Sequence, residues 1–333
     1  MIRKILYIAF INITILKSAS VYSKDIIVCP DCGIRTVKDA IAQSSDGDRI
    51  IIKKGIYKEN NLIINKAIEI HGEEFPVIDL EYSYQGFIVQ TDNVKISGLE
   101  IRNINVNYMN DLSAIKVENS DNCIIENNII TDSFFAVYLA NSSHCLIKNN
   151  KISGQAKTES SSGNGIHLWK CNNITIEYNE TTGHRDGIYF EFVTKTNITG
   201  NYSHNNLRYG LHFMFSDSNA YSRNTFRENG AGVAVMYTKN IEMTDNRFED
   251  NWGPASYGLL LKDISRSLIK RNIFYKNTTA IYMEGSDLIR VEGNEFNSNG
   301  WATKILGNCI NNIFTENNFS NNTFDVSSNS SRN

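Results

Sequence analysis

Beyond residue 100 the chain repeats a short motif in which apolar positions bracket an asparagine, apolar-x-x-Asn-x-apolar. Aligning on it places Asn128, Asn150, Asn179, Asn201, Asn224, Asn246, Asn272, Asn294 and Asn317 in one column, at spacings of 22, 29, 22, 23, 22, 26, 22 and 23 residues. A recurring period in this range marks a solenoid, in which each repeat buries its apolar face by stacking on the next. The segments are short, rich in β-branched residues and broken by Asn and Gly, which leaves no room for a helix pair. The pattern therefore predicts an all-β chain wound as a right-handed parallel β-helix, each coil giving a short strand, an asparagine turn and a second strand.

A second column follows most of these asparagines, where Gly or Ala opens a run of alternating residues. Side chains alternate across a strand. Val137/Leu139, Ile166/Leu168, Ile188/Phe190, Leu211/Phe213, Val233/Val235, Leu259/Leu261 and Ile281/Met283 are thus predicted to stack as core. The residues between them form two outward columns with rungs about 4.8 Å apart. One runs Tyr138, His167, Tyr189, His212, Ala234, Leu260, Tyr282; the other runs Ala140, Trp169, Glu191, Met214, Met236, Lys262, Glu284.

Ahead of the repeats, residues 34–44 have helical spacing at Val37, Ala40 and Ile41. An open β-helix end exposes core and unpaired strand edges, so this helix is expected to cap it. No linker interrupts residues 24–326, read as one domain, and 327–333 read as a disordered tail. At the other end, Arg3 and Lys4 precede an apolar run over 5–16, then Lys17 and the small residues of 18–23, with Val21 and Ser23 at the −3 and −1 positions. This is the pattern of a secretory signal over residues 1–23, and the apolar run is too short to span a bilayer. The mature chain is expected to be exported and soluble.

Composition sharpens this picture. The 44 Asn against 3 Pro suit a turn-rich β protein. With 33 basic and 36 acidic residues and no basic block, the chain has no electrostatic footprint for nucleic acid. No P-loop, dinucleotide-binding or zincin motif occurs.

Outward strand positions are ordinarily polar or charged, yet the middle coils carry His, Trp and Met. Met214 and Met236 share a column on adjacent rungs, with His212 two residues before Met214 and Glu191 one rung below. Thioether and imidazole suit Cu(I), whereas hard cations want oxygen. Met and aromatics equally make up protein-docking patches. Both readings stand, and they are compatible, because a copper carrier must dock on what it loads. His184 and His204 fall in turns and read as solvated or turn-bonding; His71 and His144 have no constellation around them.

Cys123 and Cys145 each lie five residues before a column asparagine and should stack in the core on neighbouring coils. That position suits a disulfide or two buried thiols, the reduced stack being preferred. Cys29-Pro30-Asp31-Cys32 lacks a thioredoxin context and reads as a local disulfide, with an accessory copper contact as the alternative. Glycoside hydrolysis needs two carboxyls flanking the scissile bond. Asp186 and Glu191 are the nearest pair, without an Asp pair on a neighbouring rung, so no enzymatic role is expected. A carbohydrate-binding or carbohydrate-active β-helix using Trp169 and the tyrosine column is the alternative from a different class.

The run Gly163-Asn164-Gly165-Ile166-His167-Leu168-Trp169 is followed by Arg185-Asp186-Gly187-Ile188-Tyr189 and Arg208-Tyr209-Gly210-Leu211-His212-Phe213-Met214-Phe215. Gly230-Ala231-Gly232-Val233-Ala234-Val235-Met236-Tyr237 and Tyr257-Gly258-Leu259-Leu260-Leu261-Lys262 complete the series. Together they closely resemble the NosD family, over residues 26–326. The resemblance implies a pectin-lyase-like β-helix in the periplasm that binds or relays copper for assembly of the copper centres of nitrous oxide reductase. It implies as partners a membrane ABC transporter (ATPase and permease), a lipoprotein copper chaperone and nitrous oxide reductase itself. The family also shares repeat signatures with sugar-binding and sugar-hydrolysing β-helices, which reflects the fold and carries no activity. His167, Trp169, His212, Met214 and Met236 lie in the matching runs. With Glu191 they define an expected site for transient Cu(I), formed by His167, Glu191, His212, Met214 and Met236, beside a docking surface of Trp169, Tyr189, Phe215 and Tyr237. Family members usually continue past the last coils with an aromatic-rich segment and a tail, so a truncated product with weakened transporter docking is expected.

Overall fold

The computed structural model describes residues 23–107 and 110–330; the expected signal segment lies outside the described residues but for Ser23. Three parallel sheets of 13, 12 and 12 strands run the length of the chain, and each coil adds one strand to each sheet. The result is the right-handed parallel β-helix that the repeat demands. One sheet holds the longest strands, six residues each over its middle coils, from Ser113–Glu118 through Asn164–Trp169, Asp186–Glu191, Tyr209–Met214 and Ala231–Met236 to Thr279–Glu284. We call it the long-strand sheet.

Inside, like stacks on like. Val137, Ile166, Ile188, Leu211, Val233, Leu259 and Ile281 occupy successive rungs of one buried column. Phe226, Phe248, Phe274, Phe296 and Phe319 stack ring on ring in another sheet, with centroids 5.5, 4.6, 4.9 and 4.9 Å apart. Cys123, Cys145, Cys171 and Cys309 are buried free thiols, and Cys29–Cys32 is a disulfide.

The asparagine column explains how the coils turn without stranding buried amides. Asn150 Oδ1 accepts from both the backbone N–H and Nδ2 of Asn128, each at 3.0 Å, while Asn150 Nδ2 donates to Ile125 O at 2.9 Å. The bond repeats coil by coil to Asn317. Each carboxamide satisfies main-chain groups that the bend would otherwise bury unpaired. The residue before the column asparagine is left-handed, as at Asn127 (φ 55°), Asp245 (φ 57°) and Gly293 (φ 60°). Short polar side chains and glycine tolerate that region best.

A second ladder, absent from the sequence reading, runs five residues later through Asn206, Asn229, Asn251, Asn277, Asn299 and Asn322. His184 stands at its lower end, and of the two expected readings, solvated or turn-bonding, the second holds. It is buried; its backbone N–H donates to Asn206 Oδ1 at 3.1 Å, Nδ1 donates to Thr182 O at 2.9 Å, and Nε2 lies 2.9 Å from Ser133 Oγ, two coils below. The coil between them has Gln155 at this position, whose side chain turns to Asp132 instead, and the imidazole spans that missing rung of the ladder.

The N-terminal end is closed by helix α1 (Val37–Gln43), which buries Val37, Ala40 and Ile41. Thr36 Oγ1 accepts from Asp39 N–H at 3.0 Å, and Glu59 accepts from the N–H groups of Val37 and Lys38 at 2.7 and 2.9 Å. At the other end Lys66 Nζ donates to the carbonyls of Ile41, Ala42 and Ser44. Anion at the start and cation at the finish complement the helix dipole and its unpaired groups. The last strand, Phe324–Ser328, extends two residues into the segment read as a tail. No helix among the described residues is long and apolar enough to cross a membrane.

Candidate functional site

The outward columns of the long-strand sheet have the register their spacing implied. Tyr138, His167, Tyr189, His212, Ala234, Leu260 and Tyr282 pair rung by rung, as do Ala140, Trp169, Glu191, Met214, Met236, Lys262 and Glu284. Glu191, Met214 and Met236 are all half-buried and occupy consecutive rungs.

His212 departs from expectation, because it is not a surface residue. It is only 5% exposed, closed in by Tyr189 and Tyr209, whose ring centroids lie 5.0 and 4.7 Å from its own. Behind it sits Asp186, fully buried, gripped by Arg208 through Nε–Oδ1 at 2.9 Å and Nη2–Oδ2 at 2.6 Å. His212 Nδ1 is 3.5 Å from Asp186 Oδ2, and Arg185 Nε is 3.8 Å from the same oxygen. Burial pushes the Asp186 carboxyl up, but its bonds to His212 and Arg208 outweigh that and hold it below the usual carboxylate range. Burial lowers the His212 imidazole despite Asp186. Nδ1 also lies 3.4 Å from Arg208 Nη2, so it faces a donor as well as the carboxylate. Nε2 is buried with no hydrogen-bond partner. Sequence reasoning read Asp186 only as a possible sugar-hydrolysing acid. Enclosed and paired with arginine, it does not face Glu191 across an open cleft.

His167 does not join His212. Tyr189 separates them, so they lie two rungs, roughly 10 Å, apart along the column. Its ring is stacked on Tyr138 at 4.6 Å and lies 4.8 Å from Tyr189, and Nδ1 accepts from Asn164 Nδ2 at 3.0 Å. Burial, with help from Arg185, pushes its pKa down to about 3. A cavity of about 320 Å³ adjoins it, lined by Asp111, Phe134, Arg185, Tyr189 and Glu191. Tyr189 is half-buried and its hydroxyl lies 3.5 Å from Glu191 Oε2.

The docking residues fall into two groups. Trp169 packs on a separate apolar cluster of Phe134, Phe135, Tyr138 and Ala140, with the Lys170 ammonium 4.3 Å over its ring. Phe215 and Tyr237 follow their strands in the turn beside the Met column, 45% and 43% exposed. Sequence reasoning missed Phe192, which completes a stack of three, with centroids 5.4 and 5.2 Å apart. All three have left-handed backbone, φ 56°, 50° and 54°. Above and below them the same column carries Asn119, Asn141, Lys170, Asp263 and Gly285. The signal was available: an aromatic directly after each of these three strands, where other coils place Asn, Asp, Gly or Lys.

Among the described residues no three His, Cys, Asp or Glu converge as a metal site. Copper held on this face would rest on thioethers and a single imidazole. The unpartnered Nε2 of His212 and the paired Met rungs fit such a soft ion.

The fold is shared widely. The surface adhesin PfbA of Streptococcus pneumoniae superposes with a TM-score of 0.70 at 14% identity, over 85% of each chain. The family 28 exopolygalacturonase of Yersinia enterocolitica gives 0.69 at 11% identity, over 93% of this chain and 77% of that one. The A-module of the mannuronan C-5 epimerase AlgE4 of Azotobacter vinelandii gives 0.52 at 13% identity, over 89% and 93%. At such identities these likenesses speak for the fold alone. No curated protein matches the chain. The family model described as periplasmic copper-binding protein (NosD) matches residues 41–161 and 149–333, essentially the whole described solenoid, and the chain belongs to the NosD family.

Proposed function

We propose that this protein takes up Cu(I) as transient cargo at His212, Met214 and Met236, with Glu191 beside them. It passes the ion by ligand exchange to a partner docked on the adjoining surface of Trp169, Tyr189, Phe192, Phe215 and Tyr237. The observation that carries this reading is the buried, unpartnered Nε2 of His212, one column from two methionines on adjacent rungs. A carboxylate behind the distal nitrogen is the arrangement that holds a ligating histidine in one tautomer, and Asp186 occupies that position. Half-buried thioethers suit an ion that must leave again, since a closed site would retain it. His167, two rungs off, serves the face as a stacked ring. Family membership supports copper binding in a periplasmic setting, and the destination proposed for the ion is the copper centres of nitrous oxide reductase. On this reading the ion comes from a lipoprotein chaperone, and an ABC transporter takes part.

The test is anaerobic Cu(I) titration of the mature chain against a calibrated chromophoric chelator. Asp186→Asn is expected to weaken binding roughly 10–100-fold, as loss of an outer partner does. Met214→Ala combined with Met236→Ala should weaken it further. Unchanged affinity in the methionine double variant would remove the site from this face.

A further inference from the structure

The Cys29-Pro30-Asp31-Cys32 segment has no part in the Met/His face, yet it is a chelate in waiting. Its two Cα atoms are 5.0 Å apart, and what holds them there is main chain as well as sulfur. Cys32 N–H donates to Cys29 O at 3.2 Å, Cys29 N–H donates to Ile34 O at 3.3 Å, and Val28 bridges Ile34. Arg35 Nε donates to Cys32 O at 3.4 Å. None of these bonds runs through sulfur, so breaking the disulfide removes none of them directly. Both cysteines are half-buried with Pro30 and Asp31 exposed between them, whereas the four other cysteines are buried. An accessible disulfide is open to thiol exchange, and paired thiolates are soft ligands that prefer Cu(I).

We propose that Cys29 and Cys32 form a second, redox-gated Cu(I) site at the helix-capped end of the solenoid. A dithiol reductant gives two electrons and two protons to the disulfide and becomes a disulfide itself. The two thiols then release two protons as their sulfurs bind one Cu(I), with the Arg35 guanidinium nearby to offset the resulting negative charge. Transfer of two electrons from the thiolates to a disulfide oxidant re-forms the Cys29–Cys32 bond and expels the ion, still as Cu(I). The inference rests on the family's copper binding and is independent of the Met/His assignment.

The experiment compares the full mature chain oxidised and reduced. The reduced sample is prepared with a phosphine, which is removed anaerobically before Cu(I) is titrated against the same chelator. Native thiol titration should find two reactive thiols after reduction and none before. The reduced chain should bind one more equivalent of Cu(I) than the oxidised chain, with ultraviolet thiolate-to-copper absorption. Cys29→Ser with Cys32→Ser should lack that equivalent, and Met214→Ala with Met236→Ala should keep it. Equal stoichiometry in the two redox states of the wild type overturns the proposal without relying on any variant's folding. A methionine variant that binds only when reduced supports this site, and one with unchanged affinity in the oxidised state removes the other.

Discussion

Two faces of the same solenoid, built on the same coils at the same rung spacing, carry opposite chemistry. On the 13-stranded sheet the outward positions form Lys–Glu ladders: Lys95 reaches Glu126 at 3.0 Å and Glu69 at 3.4 Å, Lys148 reaches Glu177 at 2.9 Å, and Lys270 reaches Glu292 at 3.3 Å. On the long-strand sheet the corresponding positions hold Tyr, His, Trp and Met. The repeat requires only the inward residues and the asparagine ladders. Outward residues are free to be the ordinary charged ones, and where they are not, the fold is not the reason. The left-handed column repeats the lesson: Asn141 and Asp263 suit it, whereas Phe192, Phe215 and Tyr237 do so at a backbone cost of about 1–2 kcal/mol each.

This contrast can be broken in graded ways. The largest effect should come from acid. His184 is buried neutral with its pKa pushed down to about 4, so its contribution is complete above the unfolded value near 6.5. That contribution is lost as pH falls from there toward 4. This is worth on the order of 3 kcal/mol, and His167, held near 3, should add a loss of similar size. Denaturant midpoints at pH 7 and pH 4.5 should therefore differ sharply, and His184→Asn should flatten the profile.

Next comes the shared scaffold. Asn272→Ala strips the acceptor from Asn246 N–H and Nδ2 and the donor from Met243 O, and should cost about 2–4 kcal/mol in equilibrium unfolding. Tyr221 offers a smaller change of opposite sign. Its hydroxyl is buried without a partner, so Tyr221→Phe should stabilise by about 1 kcal/mol. The two faces then separate cleanly. Phe215→Asn should leave the unfolding midpoint within about 1 kcal/mol, because relief of the left-handed strain offsets lost stacking, while weakening capture by a copper partner. Lys148→Ala, on the charged face, should change stability by less than about 1 kcal/mol and leave Cu(I) affinity untouched.

Much of this was legible in the chain. The period named the solenoid, alternation named the inward residues, and the aligned repeats set which outward residues share a column, so Met214 and Met236 were placed on adjacent rungs. The second asparagine ladder was equally readable, five residues after the first, but it begins only at Asn206 and so spans fewer coils. What spacing could not convey is how far a side chain stands out from its strand. His212 sits one column from the methionines and is buried, because Tyr189 and Tyr209 close over it and Asp186 with Arg208 anchors it from behind. The sequence places Asp186, Arg208 and His212 on two coils without revealing that one carboxylate joins them.

By itself, then, the sequence determined the coil, the register and the identity of each column, since these follow from periodicities of two residues and one turn. Tertiary structure alone decided burial and partnership: that His212 presents an unpaired nitrogen, that His184 bridges a missing rung, and that Phe192 extends the exposed stack. Those properties depend on atoms brought together from different coils, and no local pattern encodes how neighbouring side chains divide the space between them.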